Sequence, residues 1–333
     1  MDNKIRLSHG DGGSYTRQLI KNVFLKYFGE PCSGDMADSF VFYTDSGKLA
    51  FTTDSFVVKP LFFKGGDIGK LAVCGTINDL AAAGAVPLYL TAGFIIEEGF
   101  NIESLCRIAQ SMAEVSRDTR ARIVAGDTKV VEKGSVDGVF INTSGIGMVS
   151  ELYNPRRMEP GDDIIVTGGI AEHGTAILID RYNMNIEAEL ESDCGPMSSL
   201  LSVLNKHLAY IKVMRDPTRG GLATVLNEMA LDRGTDIELD EKSIPIKSQV
   251  EGINDILGID PLYLACEGRM VIVVEKGYGD KVLKHIKIFG NCREAAIIGR
   301  VASGTHGLVY INTAIGGKRI LPMLEGRMLP RIC

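Results

Sequence analysis

A polar, proline-containing segment near the middle of the chain constrains the fold most. Residues 150–161, SELYNPRRMEPG, carry two prolines and several charges between apolar runs that are typical of strands. We interpret this segment as a linker, because the pattern of strands and helices starts again after it. A chain of 333 residues is long enough for two domains, each with its own core.

Strand-like and helix-like segments alternate in both halves, but not in strict βαβ order. The pattern therefore predicts an α+β, or mixed α/β, protein. We divide the chain into a glycine-rich loop with a helix at 1–40, an N-terminal domain at 41–152, a C-terminal domain at 153–314 and a tail at 315–333. The tail contains glycines and prolines without clean periodicity, which predicts a flexible arm.

The first half gives the clearest local predictions. A helix is expected from Ser14, a hairpin over 40–58 with its turn at 45–47, and a helix from Gly69 to Ala83. Strands are expected near 122–126 and, in the second half, near 262–265. These predictions place the chemical motifs described below.

Composition excludes several classes of protein. The formal net charge is −6, and a general nucleic-acid binder normally has a basic excess. No run approaches the ~20 apolar residues of a membrane span, and the N-terminus has no apolar signal segment. The seven cysteines include no CxxC pair, which favours reduced thiols and a cytoplasmic protein.

Three acidic residues stand in apolar surroundings. Asp54 lies in FTTDSFVV, Asp79 follows Asn78 in the middle of an apolar helix, and Asp127 follows a strand in IVAGDTKVV. A lone aspartate at a strand end is often a turn or cap residue, so that interpretation stays open. Asp79 is harder to explain in this way, because aspartate is a poor residue inside a helix. Oxygen ligands that converge from separate elements are what Mg²⁺ with nucleotide phosphates requires.

Two glycine-containing loops precede helices and are candidate phosphate sites, since free N–H groups at a helix start favour anions. The first is HGDGG at 9–13, with Gly10, Gly12 and Gly13; the second is DPTRGG at 216–221, with Arg219, Gly220 and Gly221. Each is equally compatible with an ordinary helix start. Glu267 and Lys129, beside apolar strands, are either functional groups or strand-edge charges.

The last residue, Cys333, is the most distinctive single feature. An exposed free thiol invites oxidation and is usually avoided. It is not a prenylation signal, which needs a cysteine four residues from the end. It is either a chance residue in a disordered tail or a thiol on an arm that visits more than one active site.

These motifs resemble a known family. TTDSFVV, INDLAAAGA and AGDTKVV are similar to motifs shared by aminoimidazole ribonucleotide synthetase, selenophosphate synthetase and thiamine-monophosphate kinase, the PurM-like superfamily. Within it, SHGDGG, DPTRGGLA and the terminal PRIC resemble the HypE carbamoyl dehydratases of hydrogenase maturation. The resemblance covers nearly the whole chain and implies a two-domain PurM-like ATP-binding fold with a flexible C-terminal tail.

The resemblance implies an activity and partners. A carbamoyltransferase, HypF, would carbamoylate Cys333, and the chain would dehydrate the product to a thiocyanate with ATP and Mg²⁺. A HypC–HypD complex would accept the cyanide, which becomes a ligand of [NiFe]-hydrogenase. The superfamily also implies a homodimer formed through the N-terminal domains.

The same resemblance implies roles for individual residues. Glu267 would be the base and Lys129 a contact of the carbamoyl group or phosphate. The implied metal ligands are Asp54, Asp79 and Asp127, with Asp38 as a weaker fourth. The implied nucleotide contacts are Gly10, Gly12, Gly13, Asn78, Arg219, Gly220 and Gly221.

Three alternatives were weighed against this interpretation. A selenophosphate synthetase would need a reactive cysteine or selenocysteine in its glycine-rich loop, and SHGDGGSY has none. A thiamine-phosphate kinase would leave Cys333 unexplained. A non-catalytic carrier would show no ATP turnover and would be indifferent to Asp79→Asn.

Overall fold

The computed structural model describes residues 4–28, 38–45, 47–182, 184 and 189–325. Near the N-terminus, helix α1 (Gly13–Leu19) continues through a wider π-type turn (Ile20–Phe24) into α2 (Leu25–Phe28). The predicted helix from Ser14 is therefore present, although it is not a uniform α-helix. Its first turn follows the HGDGG loop directly.

The first sheet has five strands in the order β1-β2-β7-β5-β6. The elements of this half are β1 (Phe40–Thr44), β2 (Gly47–Phe56), β3 (Phe62–Phe63), β4 (Gly66–Asp67), α3 (Ile68–Ala82), β5 (Ala85–Glu97), α4 (Ile102–Thr119), β6 (Arg122–Val131) and β7 (Val139–Val149). β5 and β6 pair in parallel, whereas the other neighbours are antiparallel. The predicted hairpin is confirmed, and its strands meet in register at Thr44 and Gly47.

Helix α3 packs on the inner face of this sheet and is buried almost all round. Its start is fixed by Asp67, whose carboxylate accepts hydrogen bonds from the N–H groups of Gly69 and Lys70. Along β2 the side chains alternate, so that Ala50, Thr52 and Phe56 point inward while residues 51, 53 and 55 are exposed. Asp54 has the parity of the inward face, which directs it toward α3.

The second sheet has seven strands in the order β14-β13-β10-β12-β8-β11-β9. Its elements are β8 (Asp163–Val166), α5 (Glu172–Arg181), α6 (Ser198–Leu204), β9 (Ile211–Arg215), α7 (Gly221–Arg233), β10 (Ile237–Asp240), α8 (Ser248–Leu257), β11 (Val271–Val274), α9 (Gly279–Ile286), β12 (Ala296–Val301), β13 (Val309–Asn312) and β14 (Lys318–Ile320). The central strands β8 and β11 are buried on both faces. Alternate residues of these strands enter two cores, one with α7 and one with α6 and α9.

The prediction of a strand over 262–265 was wrong. Pro261–Tyr263 form a short 3₁₀ turn, because Asp260 Oδ1 accepts a hydrogen bond from Leu262 N at 2.9 Å and Pro261 supplies a fixed φ at its start. The chain then runs without regular structure to β11. This irregular segment carries Glu267.

The prediction of a loose tail from residue 315 was wrong for its first part. Lys318–Ile320 form β14, which pairs with β13, and Leu321 and Leu324 are buried in the core beneath α7. Tyr263 Oη donates to Pro322 O at 2.8 Å, and Asn227 Nδ2 donates to Leu321 O at 3.1 Å. These apolar and polar contacts hold the tail against the second domain as far as Leu324.

Within the described ranges no helix is long and apolar enough to cross a membrane. The longest of these helices, α4, has 18 residues and a strongly exposed polar face. The described cysteines are free thiols, and all except Cys106 are buried.

Candidate active site

A polar cavity of about 310 Å³ lies between the two domains. One wall comes from β2 and α3, the other from the loop after β9 and from the Glu267 segment, and the glycine-rich N-terminal loop covers one side. Of the residues predicted from the sequence, the cavity brings together Gly10, Gly12, Asp38, Asp54, Asp79, Arg219 and Glu267. Residues from opposite ends of the chain therefore meet in one polar space.

Asp54 and Asp79 form a carboxylate pair at the centre of the first wall. Their side chains are hydrogen-bonded to each other, and Thr52 Oγ1 donates to Asp79 Oδ2 at 2.7 Å. Burial raises the pKa of both carboxyls, and the negative charges of Asp54, Asp216 and Asp38 raise that of Asp79 further. Two carboxyls in contact share either a proton or a cation, so the pair is suited to hold a metal ion.

Asp38 extends this acidic group toward the second domain. Arg215 Nε lies 2.6 Å from Asp38 Oδ1, and the same guanidinium is 3.2 Å from Glu228 Oε2. Burial nevertheless raises the pKa of Asp38 to about 6, against the opposing effect of Arg215. Burial and the charges of Asp38 and Asp54 raise the pKa of the neighbouring Asp216 to about 8. The cavity is lined by more carboxyl groups than arginines, and burial favours the protonated form of those carboxyls.

The donors in the cavity fit a magnesium ion that is shared with phosphate. Within the described part of the chain, no three His, Cys, Asp or Glu side chains are spaced to enclose a metal ion alone. Mg²⁺ does not need such a cage, since it usually keeps waters and uses one or two carboxylates with substrate phosphates. Asp38 Oδ2 is buried and has no hydrogen-bond partner in the described part of the chain, and Asp54 and Asp79 touch. These three carboxylates are suitable ligands.

Glu267 faces the cavity from the opposite wall. Its side chain is 2% exposed, and its Oε1 atom has no hydrogen-bond partner among the described residues. Burial raises the pKa of Glu267 well above its usual value, and the nearby charges of Asp216, Asp193 and Asp54 add to this effect. A carboxylate with such a high proton affinity is suited to accept a proton.

The two glycine loops touch each other at the edge of the cavity. Gly12 has a φ of 80°, and a Cβ there would lie 3.0 Å from Arg219 O, so a larger residue would push the loops apart. Gly13, Gly220 and Gly221 do not line the cavity. A Cβ on Gly13 would lie 2.4 Å from Leu324 O, so Gly13 allows the tail to approach. Gly221 likewise allows close backbone approach, whereas Gly220 lies against the Thr224 side chain, and the nucleotide contacts of these glycines stay predictions.

Asn78 has a different role from the predicted nucleotide contact. It does not line the cavity, and its amide is fully used by main-chain groups. Its Nδ2 donates to Gly195 O and Glu267 O, each at 3.1 Å, and its Oδ1 accepts from Met197 N at 2.7 Å. Asn78 therefore holds the backbone behind the cavity.

Asp127 and Lys129 do not line the cavity of their own chain. β6 extends to Val131, so both residues lie within the edge strand of the first sheet and not after it. Their side chains are 69% and 67% exposed and form an ion pair at 2.8 Å, which holds the pKa of Asp127 below its usual value. Their predicted roles stay predictions, and Cys333 lies outside the described residues.

Several cavity residues were not identified from the sequence. Thr16 and Arg17 of α1, and Thr52, Arg215, Asp216 and Glu228, line the cavity with the predicted set. Asp216 begins the DPTRGG motif and was within reach of the sequence argument. Arg215 ends β9, a strand that the sequence pattern did not predict, so nothing indicated that its guanidinium is buried.

Comparison with known proteins first gives the class that the fold and this site define. Residues 36–149 match the family described as "AIR synthase related protein, N-terminal domain", and residues 159–312 match its C-terminal domain. Thiamine monophosphate kinase from Aquifex aeolicus shares the fold at a TM-score of 0.63 and 16% identity, over 92% of this chain and 98% of that one. The chain is therefore an AIR-synthase-related, PurM-like protein.

Relatives across the full length narrow this class. The chain is 45% identical to carbamoyl dehydratase HypE of Rhizobium leguminosarum bv. viciae, covering 99% of this chain and 95% of that protein. It is 40% identical to the Escherichia coli K12 HypE, covering 99% and 100%. A HypE structure solved in complex with ATP matches at a TM-score of 0.83 and 40% identity, covering 99% and 100%. The chain belongs to the HypE carbamoyl dehydratase family, which confirms the predicted resemblance.

Proposed function

We propose that this chain is the ATP-dependent enzyme that dehydrates an S-carbamoyl group on its own Cys333 to a thiocyanate, for [NiFe]-hydrogenase maturation. The observation that carries the proposal is the convergence on one cavity of the Asp54–Asp79 pair and of the buried Glu267 carboxylate, whose Oε1 has no hydrogen-bond partner among the described residues. The first group would hold the Mg²⁺ that accompanies a nucleoside triphosphate, and the second is suited to proton removal. Both are needed to turn an amide into a nitrile.

The reaction balances in two steps. The carbamoyl oxygen attacks the γ-phosphorus of ATP, ADP leaves, and Glu267 accepts one proton from the carbamoyl nitrogen. The C–O bond of the resulting phosphorylated imidate then breaks, phosphate departs with that oxygen, and loss of the second nitrogen proton leaves S–C≡N. A magnesium ion, held by Asp38, Asp54 and Asp79, would neutralise charge on the phosphates.

The anchored part of the tail supports Cys333 as the substrate carrier. Ser14 N donates to Leu324 O at 3.3 Å, so the tail is held beside the glycine-rich loop that covers the cavity. Beyond the described residues, the chain continues from 326 to 333. A segment of this length spans at most about 28 Å when extended. Because the tail is anchored at the loop that covers the cavity, this length is sufficient for the last residue to reach the cavity.

A second copy of the chain accounts best for Asp127 and Lys129. The outer face of the first sheet exposes apolar side chains, among them Phe51, Tyr89 and Ile95, the strand partner of Lys129. Because an exposed apolar face favours association, we infer that two copies join these faces. Asp127 and Lys129 of one copy would then contact the nucleotide or carbamoyl group bound by the other.

The proposal extends to partners. A solved structure is a HypE–HypF complex, whose matched chain has a TM-score of 0.87 and 46% identity, covering 93% of this chain and 99% of that one. We infer that a HypF carbamoyltransferase supplies the carbamoyl group in the cytoplasm and that a HypC–HypD complex receives the cyanide. The reactive sulfur at the end of the chain is the group that these partners would meet.

The test is mass spectrometry of the C-terminal peptide. The full chain is carbamoylated by HypF with carbamoyl phosphate, purified, and mixed with Mg²⁺ and either ATP or a non-hydrolysable ATP analogue. We expect loss of one water from the Cys333 peptide with ATP only. A carbamoyl adduct that persists unchanged with ATP would instead support the non-catalytic carrier.

A further inference from the structure

Glu267 lies on an irregular segment, so its position depends on contacts with other parts of the chain. It follows the 3₁₀ turn Pro261–Tyr263 and precedes β11, in a stretch without helix or strand hydrogen bonds. A reacting group usually needs placement to within a fraction of an ångström. Main-chain hydrogen bonds hold part of this stretch, among them Cys266 N to Pro217 O at 3.0 Å and Gly195 N to Glu267 O at 3.4 Å, and two buried side chains add to them.

Asp193 holds the backbone on the N–H side of Glu267. Its Oδ1 accepts from Glu267 N at 3.3 Å and from His173 N at 3.1 Å, while Oδ2 accepts from Gly268 N at 3.3 Å. The approach is close enough that a Cβ on Gly268 would lie 1.9 Å from Asp193 O. Only glycine fits at position 268.

Asn78 holds the carbonyl side of the same residue. Its Nδ2 donates to Glu267 O at 3.1 Å, and it is locked in place by Met197 N and Gly195 O. Asn78 also precedes Asp79 on α3, so the helix that carries one part of the acidic pair also holds the opposite wall. The two walls of the cavity are thereby connected through one rigid element.

The Asp193 side chain is itself held in place by its neighbours. Its side chain is fully buried, and Arg269 Nε lies 3.6 Å from its Oδ2. Arg269 is buried too and donates to Gly169 O at 2.8 Å and Glu172 Oε1 at 3.3 Å. A buried carboxylate with this many donors does not rearrange easily.

We propose that Asp193 and Asn78 are positioning residues for the dehydration, clamping the peptide groups on either side of Glu267 and fixing its carboxylate relative to Asp79. This inference rests on the proposed function of Glu267 as the base. Neither side chain lines the cavity, so neither is expected to contact the substrate.

The experiment compares two clamp variants with two matched controls. Both variants keep the shape of the side chain. Asp193→Asn places an NH₂ donor against backbone N–H donors, and Asn78→Asp places an acceptor against backbone carbonyls. Asp236→Asn is the control for the first, because Asp236 is a buried carboxylate that accepts from His306 N and Leu308 N in a distant loop. Asn254→Asp is the control for the second, because its buried Nδ2 donates to Thr175 Oγ1 and Val250 O.

The readouts are the single-turnover rate of water loss from the carbamoylated full chain, the Kd for Mg-ATP and the unfolding midpoint in denaturant. We expect either clamp variant to slow water loss about 10- to 100-fold, with a Kd within about threefold of the unchanged chain. The controls are expected to lose stability similarly but to keep the rate. If Asp193→Asn fails to fold, Asn78→Asp carries the test.

Two results would overturn the inference while the unchanged chain remains active. In the first, the clamp variants lose water at the same rate as their controls. In the second, the affinity for Mg-ATP falls in parallel with the rate, which would support a role of Asn78 in nucleotide binding. An unchanged chain that binds Mg-ATP but loses no water overturns the proposed function, and the inference with it. The failures of the two ideas are thus distinguishable.

Discussion

The buried aspartates of the cavity and the exposed aspartate of β6 come from motifs of the same kind but meet opposite surroundings. Asp54 and Asp79 face other carboxylates in a partly buried cavity, which raises their pKa. Asp127 is exposed beside Lys129, which lowers its pKa. The first environment destabilises negative charge until a cation arrives, whereas the second is already neutralised. Under the proposed function, one chain would build the acidic part of the site, and its exposed Asp127 would serve the site of a second copy.

The largest expected effect concerns the wall opposite the acidic pair. Glu267→Gln keeps the size of the buried side chain but removes the base, so the rate of water loss is expected to fall about 10²- to 10⁴-fold. Mg-ATP binding is expected to be nearly unchanged, since no phosphate ligand is removed. Single-turnover mass spectrometry and a nucleotide titration measure these two quantities. A variant with a normal nitrile yield would exclude Glu267 as the base.

Asp79→Asn tests the acidic pair. The asparagine Oδ1 can still accept the hydrogen bond from Thr52, so the fold is expected to be retained, but a charged ligand for the metal is lost. Loss of one charged interaction of this kind weakens binding about 10- to 100-fold. Calorimetric titration with Mg-ATP measures the change. An unaltered Kd would remove Asp79 from the metal site.

Asp127→Ala tests whether the exposed edge completes the site of a second copy. Alone it is expected to slow water loss about tenfold, with little change in stability because the pair is exposed. The sharper experiment mixes Asp127→Ala chains with Asp79→Asn chains and allows the copies to exchange. If each site takes Asp79 from one copy and Asp127 from the other, about a quarter of the sites in the mixture are restored.

The outcome of the mixing experiment separates two arrangements. Recovery of activity above that of either variant alone supports a shared site. Activity that stays at the average of the two separate variants would show that both residues act within one chain, or that Asp127 has no part in the reaction. Mixing two samples of the same variant controls for concentration.

Three charged residues of the cavity could be predicted because each interrupts an apolar run. Asp54 interrupts a strand, Asp79 a helix and Glu267 an apolar segment, and burial of a charge in such places needs a reason. The hairpin and helix α3 were predictable for a related reason, since the DSG turn at 45–47 joins the two strands and Gly84 and Pro87 mark the end of the helix. These signals are local, and a single sequence shows them directly.

The remaining residues depend on contacts that are distant in sequence. The resemblance implies a nucleotide contact for Asn78, yet consecutive residues on a helix point about 100° apart, so Asn78 faces the backbone behind the cavity while Asp79 faces into it. Asp193 lies in a stretch without regular structure, and its partners come from residues 173, 267 and 268. Leu321 and Leu324 look like part of a loose tail until the core beneath α7 is known.

The smallest expected effect is on the free energy of unfolding, whose pH dependence should differ between a buried cavity aspartate and the exposed Asp127. Burial and neighbouring carboxylates raise the pKa of Asp216 to about 8, whereas its ordinary value is 3.8. The folded chain therefore binds more protons at Asp216 than the unfolded chain does between these values. The contribution of Asp216 to the free energy of unfolding is greatest below pH 3.8 and is lost as the pH rises through about 8. Without nucleotide, Asp216→Asn is expected to flatten this slope and to gain about 1–2 kcal/mol at pH 8. Asp127→Asn is the matched control and should leave the slope unchanged. Denaturant unfolding at pH 6, 7 and 8 measures it, and equal slopes for all three proteins would contradict the contrast between cavity and edge.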